Sequence, residues 1–152
     1  MVRYGIIGVG AMGREHAENL RYIDGAAVTA ISDPDEGSRN LAVKQLGSEV
    51  NVFTDHNQLL SSGLVDAVII ATPNYTHVDV LKDALSTSLH VFIEKPLCTT
   101  IDDCLKVIEW SKNRRGLVWM GLEYRYMPPV AELISIVHSG GVGEVQQVTI
   151  RE

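Results

Sequence analysis

Short apolar runs alternate along the chain with segments whose hydrophobic positions recur at helical spacing. The runs at residues 4–9, 27–32, 52–53, 67–71, 90–93 and 117–121 predict strands, and the segments 12–21, 36–46, 57–61, 76–86, 101–112 and 130–138 predict helices. Strands that read as continuous apolar runs are buried on both faces, so the pattern predicts an α/β fold, a doubly wound parallel sheet with helices on either side. Helix starts agree with it. Asp33, Pro34 and Asp35 lead into the second helix, and Thr100 precedes Ile101 with Asp102 and Asp103 in the first turn. Gly47, Gly63 and Gly116 mark the returns. Right-handed crossovers then bring the carboxyl ends of the main strands to one edge, the edge outside which such sheets bind ligands.

The end of the chain reads differently. After Gly143, residues 145–152 alternate well enough to begin a strand that has no partner in the sequence. Residues 1–121 are therefore expected to form a nucleotide-binding domain, and 122–152 a connecting helix and the first strand of a truncated, sheet-based C-terminal domain. Val145, Val148 and Ile150 lack the lysines or prolines that protect a natural sheet edge, which favours a fragment over a free-standing nucleotide-binding module.

Composition narrows the function classes. Hydrophobic residues make up 45% and charged ones 21% of 152 residues, with a net charge of −6, which describes an acidic globule with no basic stripe to follow a nucleic acid. Gly5, Gly8, Gly10 and Gly13 break the first apolar stretch, so a secretory signal or a membrane span is not expected there and a cytoplasmic location is. The two cysteines, Cys98 and Cys104, carry no metal-ligand spacing, and neither a metal site nor a disulfide framework is expected.

The densest chemistry lies after the first strand. Gly8, Gly10 and Gly13 fall between a predicted strand and a predicted helix, and Asp33 closes the next strand. The first glycine permits a tight turn, the second lets the backbone approach a pyrophosphate, and the third lets the helix pack on the strand. The helix amides and the positive end of the dipole then face the phosphates. An acid about 20 residues further on accepts hydrogen bonds from a ribose diol and repels a 2′-phosphate, so Asp33 favours NAD over NADP. Ser38 and Arg39 lie close enough in sequence to keep a 2′-phosphate site open. A methyltransferase-type nucleotide fold shares the glycine loop and the acid, and the later loops must separate the two readings.

Three such loops follow strands. Thr72-Pro73-Asn74-Tyr75-Thr76-His77 is rich in donors and acceptors, and could equally be a well-capped helix start. Glu94-Lys95-Pro96 sets two charges at a buried strand end, with Pro96 restricting Lys95 and favouring a cis peptide that aims its side chain into a cleft. A surface ion pair is the plainer account. Glu123-Tyr124-Arg125-Tyr126 brings an arginine and two phenols to the same edge, either as an aromatic lid with Arg125 serving Glu123, or as an anion contact.

Together Gly8-Val9-Gly10-Ala11-Met12-Gly13, Ala71-Thr72-Pro73-Asn74-Tyr75-Thr76-His77, Glu94-Lys95-Pro96 and Tyr124-Arg125 resemble the Gfo/Idh/MocA family of glucose-fructose oxidoreductases, inositol dehydrogenases and rhizopine-catabolism proteins. The resemblance spans nearly the whole chain and sets the methyltransferase reading aside. It implies the nucleotide-binding half of an NAD(P)-dependent oxidoreductase acting on a sugar, cyclitol or related alcohol. Gly8, Gly10, Ala11, Met12, Gly13, Asp33, Thr72, Pro73, Asn74, His77, Glu94, Lys95 and Arg125 would then meet the cofactor, with Lys95 also touching substrate and moving its proton. Such proteins continue into a substrate domain that supplies a histidine and often mediates homo-oligomers; nothing here stands for it, and His138 reads as a helix C-terminal residue.

Overall fold

Six strands pair in parallel in the order β3-β2-β1-β4-β5-β6. The structure, a computed structural model, describes residues 1–151, and the final position of the expected last strand, Glu152, lies outside them. The strands are β1 (Val2–Ile7), β2 (Ala26–Ser32), β3 (Asn51–Phe53), β4 (Ala67–Ile70), β5 (His90–Glu94) and β6 (Val118–Gly121). Between them run α1 (Ala11–Leu20), α2 (Glu36–Leu46), α3 (His56–Ser61), α4 (His77–Leu85) and α5 (Ile101–Ser111). The doubly wound sheet expected from the apolar runs is present. Its first strand ends two residues short of the expected boundary, because Gly8, at φ +86°, turns the chain out of the extended region.

Two apolar layers hold the sheet. Ile6, Ile31 and Ile69 pack under Ala17 and Leu20 of α1 and Ala42 of α2, while Ile7, Ile70 and Ile93 pack under Leu59 of α3, Leu81 of α4 and Val107 of α5. Alternate residues of one strand thus serve opposite faces, and all four residues of β4 are buried. Helix starts are fixed by side chains: Asp35 accepts from Ser38 N at 2.6 Å, Asp55 from Asn57 N at 2.8 Å, and Thr100 from Asp103 N at 3.2 Å. Cys98 and Cys104 are both free thiols, and burial pushes that of Cys98 up to about 11, which makes it an unreactive core group.

The order of strands reverses between β1 and β4. Ile7 stands beside Ser32 of β2 on one side and Ile70 of β4 on the other, so the carboxyl ends of these strands open a crevice at the switch point. The opposite edge is pinned by Arg3, whose guanidinium donates to Asp66 Oδ1 at 2.7 Å and Oδ2 at 3.1 Å while its backbone N–H donates to Oδ2 at 2.9 Å. The side-chain bond from Arg3, and then the backbone one, hold the Asp66 carboxyl down at about 2, below its ordinary 3.8. A depressed folded value means the pair stabilises fully above about pH 4 and stops doing so as pH falls toward 2. Asp66→Asn is expected to lower thermal stability at neutral pH and to flatten the acid limb of a stability-versus-pH curve. An unaltered acid limb would show that the pair contributes nothing.

The chain divides into two compact units, Met1–Gly121 and the remainder from Leu122 onward. The second contains a short 3-10 turn, Glu123–Tyr126, and α6 (Pro128–His138), which starts on a proline and ends at His138. Gly140 at φ +77° closes α6, and Gly141 N–H donates to Ile136 O at 2.9 Å. The strand expected from residue 145 onward does not form: residues 145–151 are exposed and without ladder pairing. Alternation alone cannot make a strand without a neighbour to complete its hydrogen bonds.

Candidate functional site

Gly8, Gly10 and Gly13 bring three backbone surfaces together past β1. A Cβ on Gly8 would lie 2.7 Å from Ala71 O and 2.9 Å from Thr72 Cγ2, and one on Gly13 would overlap Gly8 O, whereas Gly10 has nothing within 4 Å. The first and third glycines are thus needed for packing, and the second leaves open space beside the start of α1. No acidic residue occupies the first turn of α1, so its amides and dipole are unopposed. Arg14 donates to Val9 O at 2.8 Å and steadies the turn from behind.

Asp33 is tied into this turn. Its Oδ2 accepts from Val9 N–H at 2.8 Å and its Oδ1 from Asp35 N–H at 2.9 Å, which fixes the carboxylate at the end of β2. Arg39 donates to the carbonyls of Asp33 and Pro34 at 2.7 and 2.8 Å, so the expected neighbour of a 2′-phosphate site holds the strand end from below.

A cleft of about 760 Å³ runs along this edge, lined by Gly8, Gly10, Ala11 and Met12 from the glycine turn, Asp33 just past β2, Ser38 of α2, and Thr72 and Pro73 past β4. Sequence reasoning missed part of its wall: Thr54, Asp55, His56, Tyr75 and Asp79 also line it. Ser32 Oγ is buried at this wall and has no hydrogen-bond partner, a state shared among the described residues only by Arg114 Nε. A second pocket of about 210 Å³ adjoins it across Met12, Ala71 and Thr72, and is completed by Asn74, Glu94, Lys95 and Pro96. An extended ligand with two lobes and a charged middle fits such a pair of hollows, the middle falling at the glycine turn. The glycine cradle, the free helix terminus and the orphaned hydroxyl all suit a dinucleotide.

At the smaller pocket Glu94 pairs with His16, a residue of α1 that the sequence did not single out. His16 Nε2 lies 2.7 Å from Glu94 Oε1, with side chains 20% and 12% exposed, and the His16 ring stands edge-on to Phe92. Glu94 Oε2 accepts from Lys95 N–H at 3.3 Å. The Lys95-Pro96 bond is cis.

His77 departs from its expected role of lining the cofactor. Its ring is fully buried, with Nδ1 2.8 Å from Pro96 O and Nε2 3.0 Å from Thr72 O, and it reaches neither hollow. Arg125 belongs to the second unit, within the 3-10 turn. Among the described residues no cluster of three His, Cys, Asp or Glu side chains could hold a metal ion, and no helix is long and apolar enough to cross a membrane.

Residues 2–122 match the GFO_IDH_MocA family, described as "Oxidoreductase family, NAD-binding Rossmann fold". The chain belongs to this family. Inositol 2-dehydrogenase 1 of Saccharopolyspora erythraea is 34% identical over 146 residues, which cover 94% of this chain and 43% of that protein. A 2,7-anhydro-N-acetylneuraminate hydratase of Escherichia coli is 33% identical over 95% of this chain and 38% of its own length. The crystal structure of myo-inositol dehydrogenase from Lactobacillus casei in complex with NAD(H) and myo-inositol superposes with a TM-score of 0.87 at 30% identity, covering 94% of this chain and 43% of that one. The chain spans less than half the length of these relatives.

Proposed function

We propose that this Gfo/Idh/MocA chain is the NAD-binding half of an oxidoreductase whose substrate is a polyol or sugar-like alcohol. The observation that carries the reading is the glycine turn joined to Asp33 by the Val9 amide, opening on a two-lobed cleft. The amides of Gly10, Ala11 and Met12 would hold the diphosphate, Asp33 the adenosine ribose diol, and the smaller pocket the nicotinamide. Thr72, Pro73 and Asn74 would form the wall between the lobes, and Glu94 would face the nicotinamide ribose while His16 keeps its carboxylate in place.

Bound NAD supplies hydride acceptance from a carbinol carbon. Lys95, at the rim of the smaller pocket, would orient the substrate oxygen and take up its proton as the carbonyl forms. Arg125 would add a contact to cofactor or substrate oxygens. Identity to inositol dehydrogenases supports a cyclitol or related polyol, whereas the similar identity, 33% against 34%, to a protein named a hydratase argues that this half alone does not set the reaction. Homo-oligomerisation and a cytoplasmic location belong to the same proposal, as features of the longer protein.

Calorimetric titration of the chain with NAD, NADP and S-adenosylmethionine tests the reading. NAD is expected to give a saturable heat and S-adenosylmethionine none. A folded chain that stays silent to pyridine nucleotides at millimolar dose removes the proposal.

A further inference from the structure

His77 sits in the core with both ring nitrogens within hydrogen-bond distance of main-chain carbonyl oxygens; a neutral ring, with one N–H, donates to one of them, and only an imidazolium donates to both. Burying an imidazole is costly unless its nitrogens find partners, and an aliphatic side chain would fill the same volume without that cost. Both nitrogens instead face main-chain carbonyls of two separate loops, Thr72 O past β4 and Pro96 O past β5. The β4–β5 ladder ends at the Ile70–Ile93 pair, so beyond it the two loops are no longer joined by strand pairing. His77 spans them there. One loop gives the smaller pocket Ala71, Thr72 and Asn74, and the other gives it Glu94, Lys95 and Pro96. The far end of the larger cleft, at Asp33, Ser38 and His56, lies just past β2 and on α2 and α3, and the hydrogen bonds of the His77 ring go to none of these elements but to Thr72 O and Pro96 O.

Resting on the NAD-binding reading above, we propose that His77 is a positioning residue: by tying the Thr72 and Lys95-Pro96 loops together it sets the nicotinamide end of the site and leaves the adenosine end untouched. It contacts no ligand itself. Loss of the tie lets the loops part, and the cost falls on the nicotinamide half of the cofactor alone.

The experiment compares two ligands on the full chain, ADP-ribose for the adenosine end and NADH for both ends, with NADH fluorescence reporting the nicotinamide surroundings. The variants are His77→Leu, which fills the space and meets neither carbonyl, and His77→Gln, whose amide can still meet one. ADP-ribose affinity is expected to stay within about twofold in both. The advantage of NADH over ADP-ribose is expected to fall about fivefold to tenfold in His77→Leu, with partial recovery in His77→Gln, as the loss of one or two hydrogen bonds implies. The fluorescence enhancement should fall in the same order. Parallel weakening of both ligands would make His77 merely structural, and an unchanged ratio would make it irrelevant; either overturns the proposal. So does a wild-type chain to which NADH binds no better than ADP-ribose. If circular dichroism shows the variants unfolded, the wild type decides. The His77 ring nitrogens and the Thr72 and Lys95 amides should shift together in NMR spectra on adding NADH but not ADP-ribose, and the absence of that joint shift overturns the proposal. A wild-type chain that binds neither ligand overturns the NAD-binding reading instead.

Discussion

Gly10→Ala is expected to abolish most of the NAD affinity of this chain while leaving it folded, and Gly13→Ala to do the reverse in order of cause, unfolding the turn and losing the ligand with it. The two positions lie three residues apart, Gly10 at the N-cap of α1 and Gly13 in its first turn, and differ in what a methyl group would meet. At Gly10 the methyl enters open space, and φ is −62°, a value any residue adopts. Stability should therefore fall by no more than about 1 kcal/mol, the usual penalty for alanine at a helix N-cap. The same methyl occupies the room that a diphosphate requires, so affinity should fall at least about tenfold. At Gly13 the methyl overlaps the carbonyl oxygen of Gly8, a backbone atom that cannot swing aside. Overpacking of this kind costs about 3 kcal/mol and should lower the melting temperature by about 10 °C. Thermal melts and NAD titration on both variants check the pair of outcomes. Equal destabilisation of the two would overturn the steric distinction, and a Gly10→Ala chain that keeps its NAD affinity would show that the turn is not a phosphate cradle.

What could be read without coordinates, and what could not, divides along the distance over which each feature is determined. The glycine turn and Asp33 were legible because strand, turn and helix are local, and the acid falls at the end of the adjacent strand. The same holds for Asp35 and Thr100, which cap the helices they were expected to introduce. His16 was not legible. Its partner Glu94 lies 78 residues away, and in the sequence His16 is only another polar position on an amphipathic helix. The reading of His77 erred for a related reason: a histidine just past a strand end can face a ligand or turn into the core, and only its packing against Pro96 O, 19 residues on, decides. The alternation from residue 145 onward misled in the opposite sense, because period two states a preference that pairing must realise. The Thr72 loop shows both behaviours at once. Its Thr76 hydroxyl donates to Pro73 O at 2.8 Å and no side chain caps α4, so the plain capping account of this loop fails while Thr72, Pro73 and Asn74 remain at the cleft.

Asp33→Ser is expected to shift the chain from NAD toward NADP. In the wild type the carboxylate already accepts two backbone N–H groups, at Val9 and Asp35, so its position is set before any ligand arrives and its remaining lone pairs face the cleft. A ribose diol can donate to them, and a 2′-phosphate would meet a fixed negative charge. Serine removes the charge and leaves one acceptor. Charge-assisted hydrogen bonds contribute about 1.5–3 kcal/mol each, so the ratio of NAD to NADP affinity should fall about a hundredfold, partly by weakening NAD and partly by admitting NADP. Ser38 lines the cleft beside the site and can donate to the added phosphate, whereas Arg39 is held on the carbonyls of Asp33 and Pro34 and must release at least one of them to help. The second step is what Asp33→Ser with Arg39→Ala isolates: if NADP affinity in the double variant equals that of the single one, the arginine keeps to its strand end and the gain comes from relief of repulsion alone. Asp33→Asn separates charge from shape, since it keeps the size of the side chain and an acceptor for Val9 N–H. Should either single variant retain the wild-type preference, selection between the two cofactors lies elsewhere than in this carboxylate.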